Sequence, residues 1–245
     1  MGTAPRSVAP EMLDHLAPDD PRARRSRGDL RRIHRMMGSV RILKNAITRL
    51  GLTVPPRRIL ELGAGDGSLM LRVAPLLPPV TAGVELILLD RHDLLDVTTL
   101  DAYAKMGWTA RVLQTDVLAW AQARMVPRYD LCVASLFLHH FRGEELAVLL
   151  PAIAARVTAF VAYEPSRRGL APIASRLVGL IGANAVTRED AVTSVTAGFC
   201  GHELSHMWPN TDNEWVVLEY AAAPFAHCFA AVRAAVPKSV GNRDY

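Results

Sequence analysis

The residues best suited to chemistry in this 245-residue chain are carboxylates, imidazoles and closely spaced glycines that stand where apolar runs end. Glu61-Leu62-Gly63-Ala64-Gly65-Asp66-Gly67-Ser68 overlaps the run Ile59 to Leu62 and leads into Leu69-Met70-Leu71-Arg72-Val73. Glycines at alternate positions let the backbone turn sharply and approach a ligand closely, where a Cβ would stand in the way. Ser68 is expected at a helix entrance whose backbone N–H groups suit a polar or anionic ligand group. The spacing is Gly-x-Gly-x-Gly, which departs from the Gly-x-Gly-x-x-Gly of dinucleotide sites. No Gly-Lys-Ser/Thr follows, so a triphosphate-binding loop is excluded. Further along come Asp90, Asp116, Ser135, the pair His139-His140 and Glu164. Neutral imidazole titrates near physiological pH and suits proton transfer. Carboxylates can orient such a ring or accept from hydroxyl groups.

These groups need a frame, and the apolar pattern supplies one. Strand-like runs at 59–62, 84–89, 109–114, 129–135 and 160–163 alternate with helical stretches at 68–77, 94–105 and 143–158. That alternation is the signature of a doubly wound, Rossmann-like α/β fold with a mostly parallel sheet. Two last strands, Trp215 to Ala221 and Phe225 to Val232, read as an antiparallel hairpin that completes a seven-stranded sheet at its edge. Before the first strand, apolar residues from Leu30 to Leu50 recur at three- and four-residue steps, with a break near Gly38-Ser39. Residues 1–56 are therefore expected to form an N-terminal helical cap, with residues 1–10 frayed. Residues 57–245 form the main domain, with a substrate-covering insertion at about 165–210.

Composition narrows the setting. Half of the residues are apolar, enough for a sizeable core. The longest apolar stretches are interrupted by charge before reaching the ~18–20 residues of a membrane span. Residues 1–10 lack the apolar h-region of a signal peptide. Cys132, Cys200 and Cys228 are odd in number and widely separated, which fits inert core thiols in a reducing cytoplasm. Residues 1–58 hold 13 Lys/Arg against 5 Asp/Glu, net +8, and the remainder is net −4. A basic segment without interleaved aromatics reads as a solvated helix face in preference to a nucleic-acid surface.

In open α/β sheets ligands bind at the carboxyl ends of the strands, beside the first. Asp90, 23 residues beyond Gly67, can there accept both hydroxyls of a ribose. Asp116 can accept from an adenine amino group, with Val117 or Leu118 against the ring. Ile59–Ser68, Leu88-Leu89-Asp90-Arg91, Gln114-Thr115-Asp116-Val117 and Tyr129–Phe141 together resemble motifs I to IV of class I S-adenosylmethionine-dependent methyltransferases. The likeness is to the small-molecule branch typified by ubiquinone and menaquinone biosynthesis enzymes, and it spans about residues 57–165. The resemblance implies that Glu61, Gly63, Gly65 and Gly67 hold the methionine part of S-adenosylmethionine, Asp90 the ribose and Asp116 the adenine. Arg91, Val117 and Ser135 complete the expected cofactor-binding set, and S-adenosylhomocysteine is the expected product.

Methyl transfer from a sulfonium is an in-line displacement governed by positioning, and it needs a base only where the acceptor must lose a proton. Ser135-Leu136-Phe137-Leu138-His139-His140-Phe141 stands where enzymes acting on base or amide nitrogens carry Asn/Asp-Pro-Pro-Tyr/Phe. The expected acceptor is therefore a mostly apolar small molecule with a hydroxyl group. His139, His140 and Glu164 are the expected catalytic residues. C-methylation, RNA methylation through the basic cap, and a cofactor-binding protein without transferase activity are the alternatives. His202-Glu203-Leu204-Ser205-His206 matches the zinc motif H-E-x-x-H. It lies in a short helix between Gly201 and Pro209 without the expected third ligand, so no metal is expected. No nucleic-acid partner is expected either, and the chain is expected to act as a monomer or homodimer.

Overall fold

Five parallel strands form the frame, most of them short apolar segments buried on both faces. The computed structural model describes residues 5–17, 19–78, 83–125, 127–210 and 213–234. The strands are β1 (Arg58–Leu62), β2 (Val84–Asp90), β3 (Trp108–Gln114), β4 (Tyr129–Ser135), β5 (Val157–Pro165), β6 (Trp215–Ala222) and β7 (Ala226–Arg233). They form one sheet in the order β3-β2-β1-β4-β5-β7-β6. Pairing is parallel from β3 to β5, and β7 runs antiparallel to both β5 and β6. The C-terminal hairpin inserts its second strand next to β5 and leaves β6 outermost.

Because side chains alternate across a strand, the sheet carries two cores. Leu60, Leu62, Cys132, Phe160 and Ala162 face one layer, which includes Trp120 of α5 (Val117–Gln122) and Leu146, Leu149 and Ile153 of α6 (Gly143–Ala154). Leu204 of α9 (Glu203–Met207) and Trp208 just beyond it join the same core. Ile59, Leu131, Val133, Ala159 and Val161 face the other layer, built from α2 (Ser39–Arg49), α3 (Ser68–Val73) and α4 (Val97–Lys105).

The N-terminal helices divide between two tasks. Gly38, at φ +68°, breaks α1 (Pro21–Met36) from α2 in the left-handed region that glycine enters readily. α2 belongs to the sheet's helical layer. α1 instead packs on α8 (Ala185–Thr196), which also packs on α7 (Ala171–Leu177). Ser26 and Asp29 of α1 and Thr187 of α8 are buried polar residues at this seam. Asp29 accepts from the Asn184 N–H at 2.8 Å, and the Thr187 hydroxyl bonds that of Ser26 at 2.9 Å. α8 occupies a stretch whose sequence shows no clean period, since polar bonds fix it where an apolar stripe would otherwise be needed. The helix expected over 143–158 ends at Ala154, and Val157 already begins β5.

Residues 5–17, part of which was expected to fray, are tied down instead. Arg6 donates through Nε to the Ala197 carbonyl at 2.7 Å and through Nη2 to that of His139 at 2.9 Å, with its guanidinium over the Phe199 ring. The Met12 and Leu13 N–H groups donate to the two oxygens of Asp190 at 2.7 and 3.1 Å. The segment lies as a strap across the carboxyl ends of the central strands.

Candidate functional site

The strap, the glycine loop and the ends of β1, β2 and β4 border two adjoining cavities of about 580 and 280 Å³. Gly63, Asp90, Leu136 and His140 line both, which makes them one crevice. Arg91, Asp116 and Val117 line the larger part; Glu61, Gly65, Ser135 and His139 line the smaller. The two remaining sequence-expected site residues, Gly67 and Glu164, do not line it. Gly67 is turned into the fold, where an added Cβ would meet Leu88 and Leu95 at 3.3 Å.

The glycine loop is held by its neighbours. The Gly63 and Ala64 N–H groups donate to the Leu89 carbonyl, and the Gly65 N–H donates to Asp90 Oδ2 at 2.9 Å. The N–H of Ser68, expected to await a ligand, donates to Asp66 Oδ1 at 3.1 Å, and Asp66 also pairs with Arg31 of α1. One N–H of the helix entrance is therefore already satisfied from within. Asp90 also accepts from the His92 N–H, so each of its oxygens carries one protein bond and retains a lone pair for a ligand. Asp116 caps α5 through Oδ1, which accepts from Leu118 and Ala119; its Oδ2 has no protein hydrogen bond among the described residues.

Glu61 carries the strongest chemical signal. It is 2% exposed, and burial, reinforced by Asp66 and Asp90, pushes its carboxyl up to about 8. Four buried side-chain polar atoms lack a partner among the described residues, and two of them, Glu61 Oε2 and Ser135 Oγ, belong to residues of this crevice. A buried acceptor without a donor is costly and calls for a ligand group. Leu136, between Ser135 and Phe137, holds φ +53°, a strained conformation for a branched residue. Its N–H donates to the Tyr163 carbonyl at 2.7 Å.

His139 and Glu164 form a bracket under the crevice. Fully buried Glu164 accepts from the N–H groups of Phe137 at 3.1 Å, Leu138 at 2.8 Å and His139 at 3.3 Å, and bonds His139 Nδ1 at 2.8 Å. On the other side of the ring, His139 Nε2 lies 3.4 Å from Glu11 of the strap. Burial alone would lower the His139 pKa, but the bonds to Glu11 and Glu164 outweigh it and raise it to about 9. A ring already protonated at neutral pH cannot accept a proton there. His140 instead borders the crevice, with Nδ1 3.4 Å from Asp14. Arg167, two residues beyond the end of β5, pairs with Glu203 and not with Glu164.

Glu11, His139 and His140 have side-chain ligand atoms within 4.8 Å of one another, whereas His202 and His206 belong to no such group among the described residues. Glu203 of the zinc-like motif is engaged by Arg167 and the Cys200 N–H. Sequence reading missed His34 of α1, which lines both the smaller part of the crevice and a neighbouring apolar cavity. Its place on a helix with eight other charged or imidazole neighbours in sequence gives no cue to that position.

No protein-family model and no curated protein matches the chain. Among solved structures, it is similar to the plantazolicin methyltransferase BpumL in complex with S-adenosylhomocysteine, at 12% identity and a TM-score of 0.62, covering 88% of this chain and 92% of that one. It is also similar to magnesium protoporphyrin IX methyltransferase from Synechocystis PCC 6803, at 12% identity and a TM-score of 0.51, covering 91% of each chain. An O-methyltransferase family protein from Burkholderia thailandensis matches at 15% identity and a TM-score of 0.53, over 90% of this chain and 61% of that one. At these identities the shared property is the fold: a seven-stranded, mostly parallel Rossmann-like sheet with an antiparallel C-terminal hairpin.

Proposed function

We propose that this chain is an S-adenosylmethionine-dependent methyltransferase that O-methylates a hydroxylated, mostly apolar small molecule of phenol, quinol or polyketide type, acting in the cytoplasm. The observation that carries the reading is the unpartnered, buried Glu61 Oε2 beside the Gly63–Gly65 turn, flanked by Asp90 and Asp116 at the next strand ends. Solved structures of the same fold are methyltransferases with S-adenosylhomocysteine bound, which supports it. No helix among the described residues is long and apolar enough to cross a membrane.

When bound, the cofactor supplies an electrophilic methyl group on a sulfonium sulfur. Glu61 and Ser135 would receive the amino-acid end, Gly65 leaves room for it, Asp90 would accept from ribose hydroxyls and the outer oxygen of Asp116 from the adenine amino group. Val117 borders the larger cavity as an apolar wall, and Arg91 stands at its rim. Glu164 and His139 fix the 137–139 turn that forms the floor, so their expected catalytic role becomes one of positioning. His140 closes the crevice on the strap side.

A cationic ammonium against Glu61 favours the ionised carboxylate, so binding must expel the proton that burial retains. Affinity for S-adenosylhomocysteine is expected to rise with pH, by up to tenfold per unit below about 8, and to level off above it. Glu61→Gln removes this dependence. Isothermal titration across about pH 6 to 9 checks it, and a pH-independent affinity in the wild type would count against Glu61 as the receiving group. The reading as a whole is tested by titration with S-adenosylhomocysteine at neutral pH: absence of binding overturns it.

A further inference from the structure

Beside the glycine loop opens a second cavity, of about 340 Å³, between α1, α7 and α8. Its walls are apolar, with Leu30, Ile33, Met37, Ala174, Val195 and Phe225 among them. It adjoins the cofactor crevice, since Leu30, His34, Leu136, Pro165 and Ser194 line both. Its three polar side chains differ in availability. The Ser175 hydroxyl donates to the Pro172 carbonyl, and that of Ser194 is bonded to Asp190 and Glu11. The His34 imidazole has no protein partner among the described residues. Outward from the cavity, Met36, Ile173, Leu177 and Leu180 are each at least half exposed, an apolar rim of the kind that marks a binding surface.

We propose that this cavity receives the hydrocarbon body of the methyl acceptor and that His34, at its junction with the glycine loop, takes the proton of the acceptor hydroxyl. The inference rests on the methyltransferase reading and extends it to a substrate class: a hydroxyaryl compound carrying an alkyl chain, with the chain running out over the rim on α1 and α7.

In the step itself, an acceptor oxygen lone pair forms a bond to the methyl carbon. The carbon–sulfur bond breaks, and its electron pair stays on sulfur, giving S-adenosylhomocysteine. The hydroxyl proton passes to a ring nitrogen of His34, so the positive charge lost from sulfur reappears as imidazolium and later leaves to solvent. Burial lowers the His34 pKa to about 4, with Asp66 opposing and Arg72 adding, so the ring is neutral and has an open lone pair throughout the physiological range. A base this weak suffices, because an aryl ether oxygen that still holds its proton is a far stronger acid than imidazolium. Protonated His139 cannot serve in this way.

The test uses the full chain with S-adenosylhomocysteine and the probe 4-heptylphenol, compared with 4-methylphenol. The wild type is expected to bind the heptyl compound at least about tenfold more tightly, since buried methylenes add affinity cumulatively. Ala174→Trp, or Ile33→Asn should that variant fail to bind S-adenosylhomocysteine, is expected to erase the preference. Equal affinity for the two phenols, or an undiminished preference in the blocked variant, overturns the cavity assignment. With S-adenosylmethionine, His34→Asn is expected to lower kcat for 4-heptylphenol by about 100-fold or more while KM changes little; a kcat kept within about threefold overturns the role of His34. If the wild type binds this phenol without methylating it, the His34 ring-nitrogen NMR signal decides, and no shift on adding the phenol overturns that role. Failure of the wild type to bind S-adenosylhomocysteine would instead sink the methyltransferase reading. Binding of that ligand without 4-heptylphenol sinks only this inference.

Discussion

Replacing Gly63 by alanine is expected to destabilise the protein by about 3 kcal/mol or more, lowering Tm by roughly 6–12 °C. Two costs combine there. A residue with a Cβ is strained at φ +65°, by about 1–2 kcal/mol. The added carbon would also stand 2.2 Å from Phe137 Cδ2, inside the ring's van der Waals surface. Phe137 has little room to retreat, because its N–H is bonded to Glu164 and its ring packs edge-on against Phe141 at 5.0 Å. Gly65→Ala provides the contrast. Its φ of +56° carries similar strain, but no atom lies within 4 Å of the added carbon. Its thermal loss is expected to be only the backbone share, about 1–2 kcal/mol, while ligand affinity falls by an order of magnitude or more because the new methyl enters the crevice. Thermal melts with titration calorimetry separate the two effects. Equal melting temperatures for the two variants would show that the Phe137 clash is relieved at no cost. Adding Phe137→Ala to Gly63→Ala should recover part of the stability.

Glu164→Ala is expected to cost about 3–5 kcal/mol, or on the order of 10 °C in Tm, without touching a surface residue. The carboxylate serves three backbone N–H groups and one imidazole, and its loss leaves four donors, three of them buried, to find other partners. Glu164→Gln keeps one acceptor oxygen and should lose less. The sign of the pH effect follows from His139, whose pKa is raised to about 9 from an unfolded value of 6.5. A raised cationic pKa stabilises fully below 6.5 and loses that stabilisation as pH climbs through about 9. Wild-type Tm should therefore decline over this window, and Glu164→Ala should show a shallower decline. A variant that melts within about 2 °C of the wild type would mean that these donors have found other partners.

The parallel strands were legible because strands buried on both faces read as unbroken apolar runs; β4 spans Tyr129–Ser135, the same residues as its sequence pattern. The break at Gly38 and the glycine loop were legible for a related reason, since backbone conformations that need glycine are written in residue type. Less readable were elements held by polar bonds between distant segments. α8 has no amphipathic stripe because the Ser26–Asp29–Thr187 seam and the strap fix it. The overrun of α6 has a local cause: its last turn runs into β5 through Ala155 and Arg156, with neither Gly nor Pro to mark the change. Glu164 could be placed at a strand end from sequence, but which donors it meets depends on β5 lying beside β4. His34 looks like one more polar residue of a basic helix until α1 folds over the loop.

The strap sets an order of events for a chain emerging from the ribosome. Arg6 finds its acceptors 132, 133 and 191 residues further along. With about 5–20 residues added per second, on the order of 10 s or more pass between the synthesis of Arg6 and that of Ala197. During that interval β1 to β5 can already pair, while the N-terminal segment has neither the Ala197 carbonyl nor Asp190 fully in place to hold it. Residues 5–17 are thus made well before the partners that hold them and are among the last to be seated, and the crevice acquires its roof only after its floor is built.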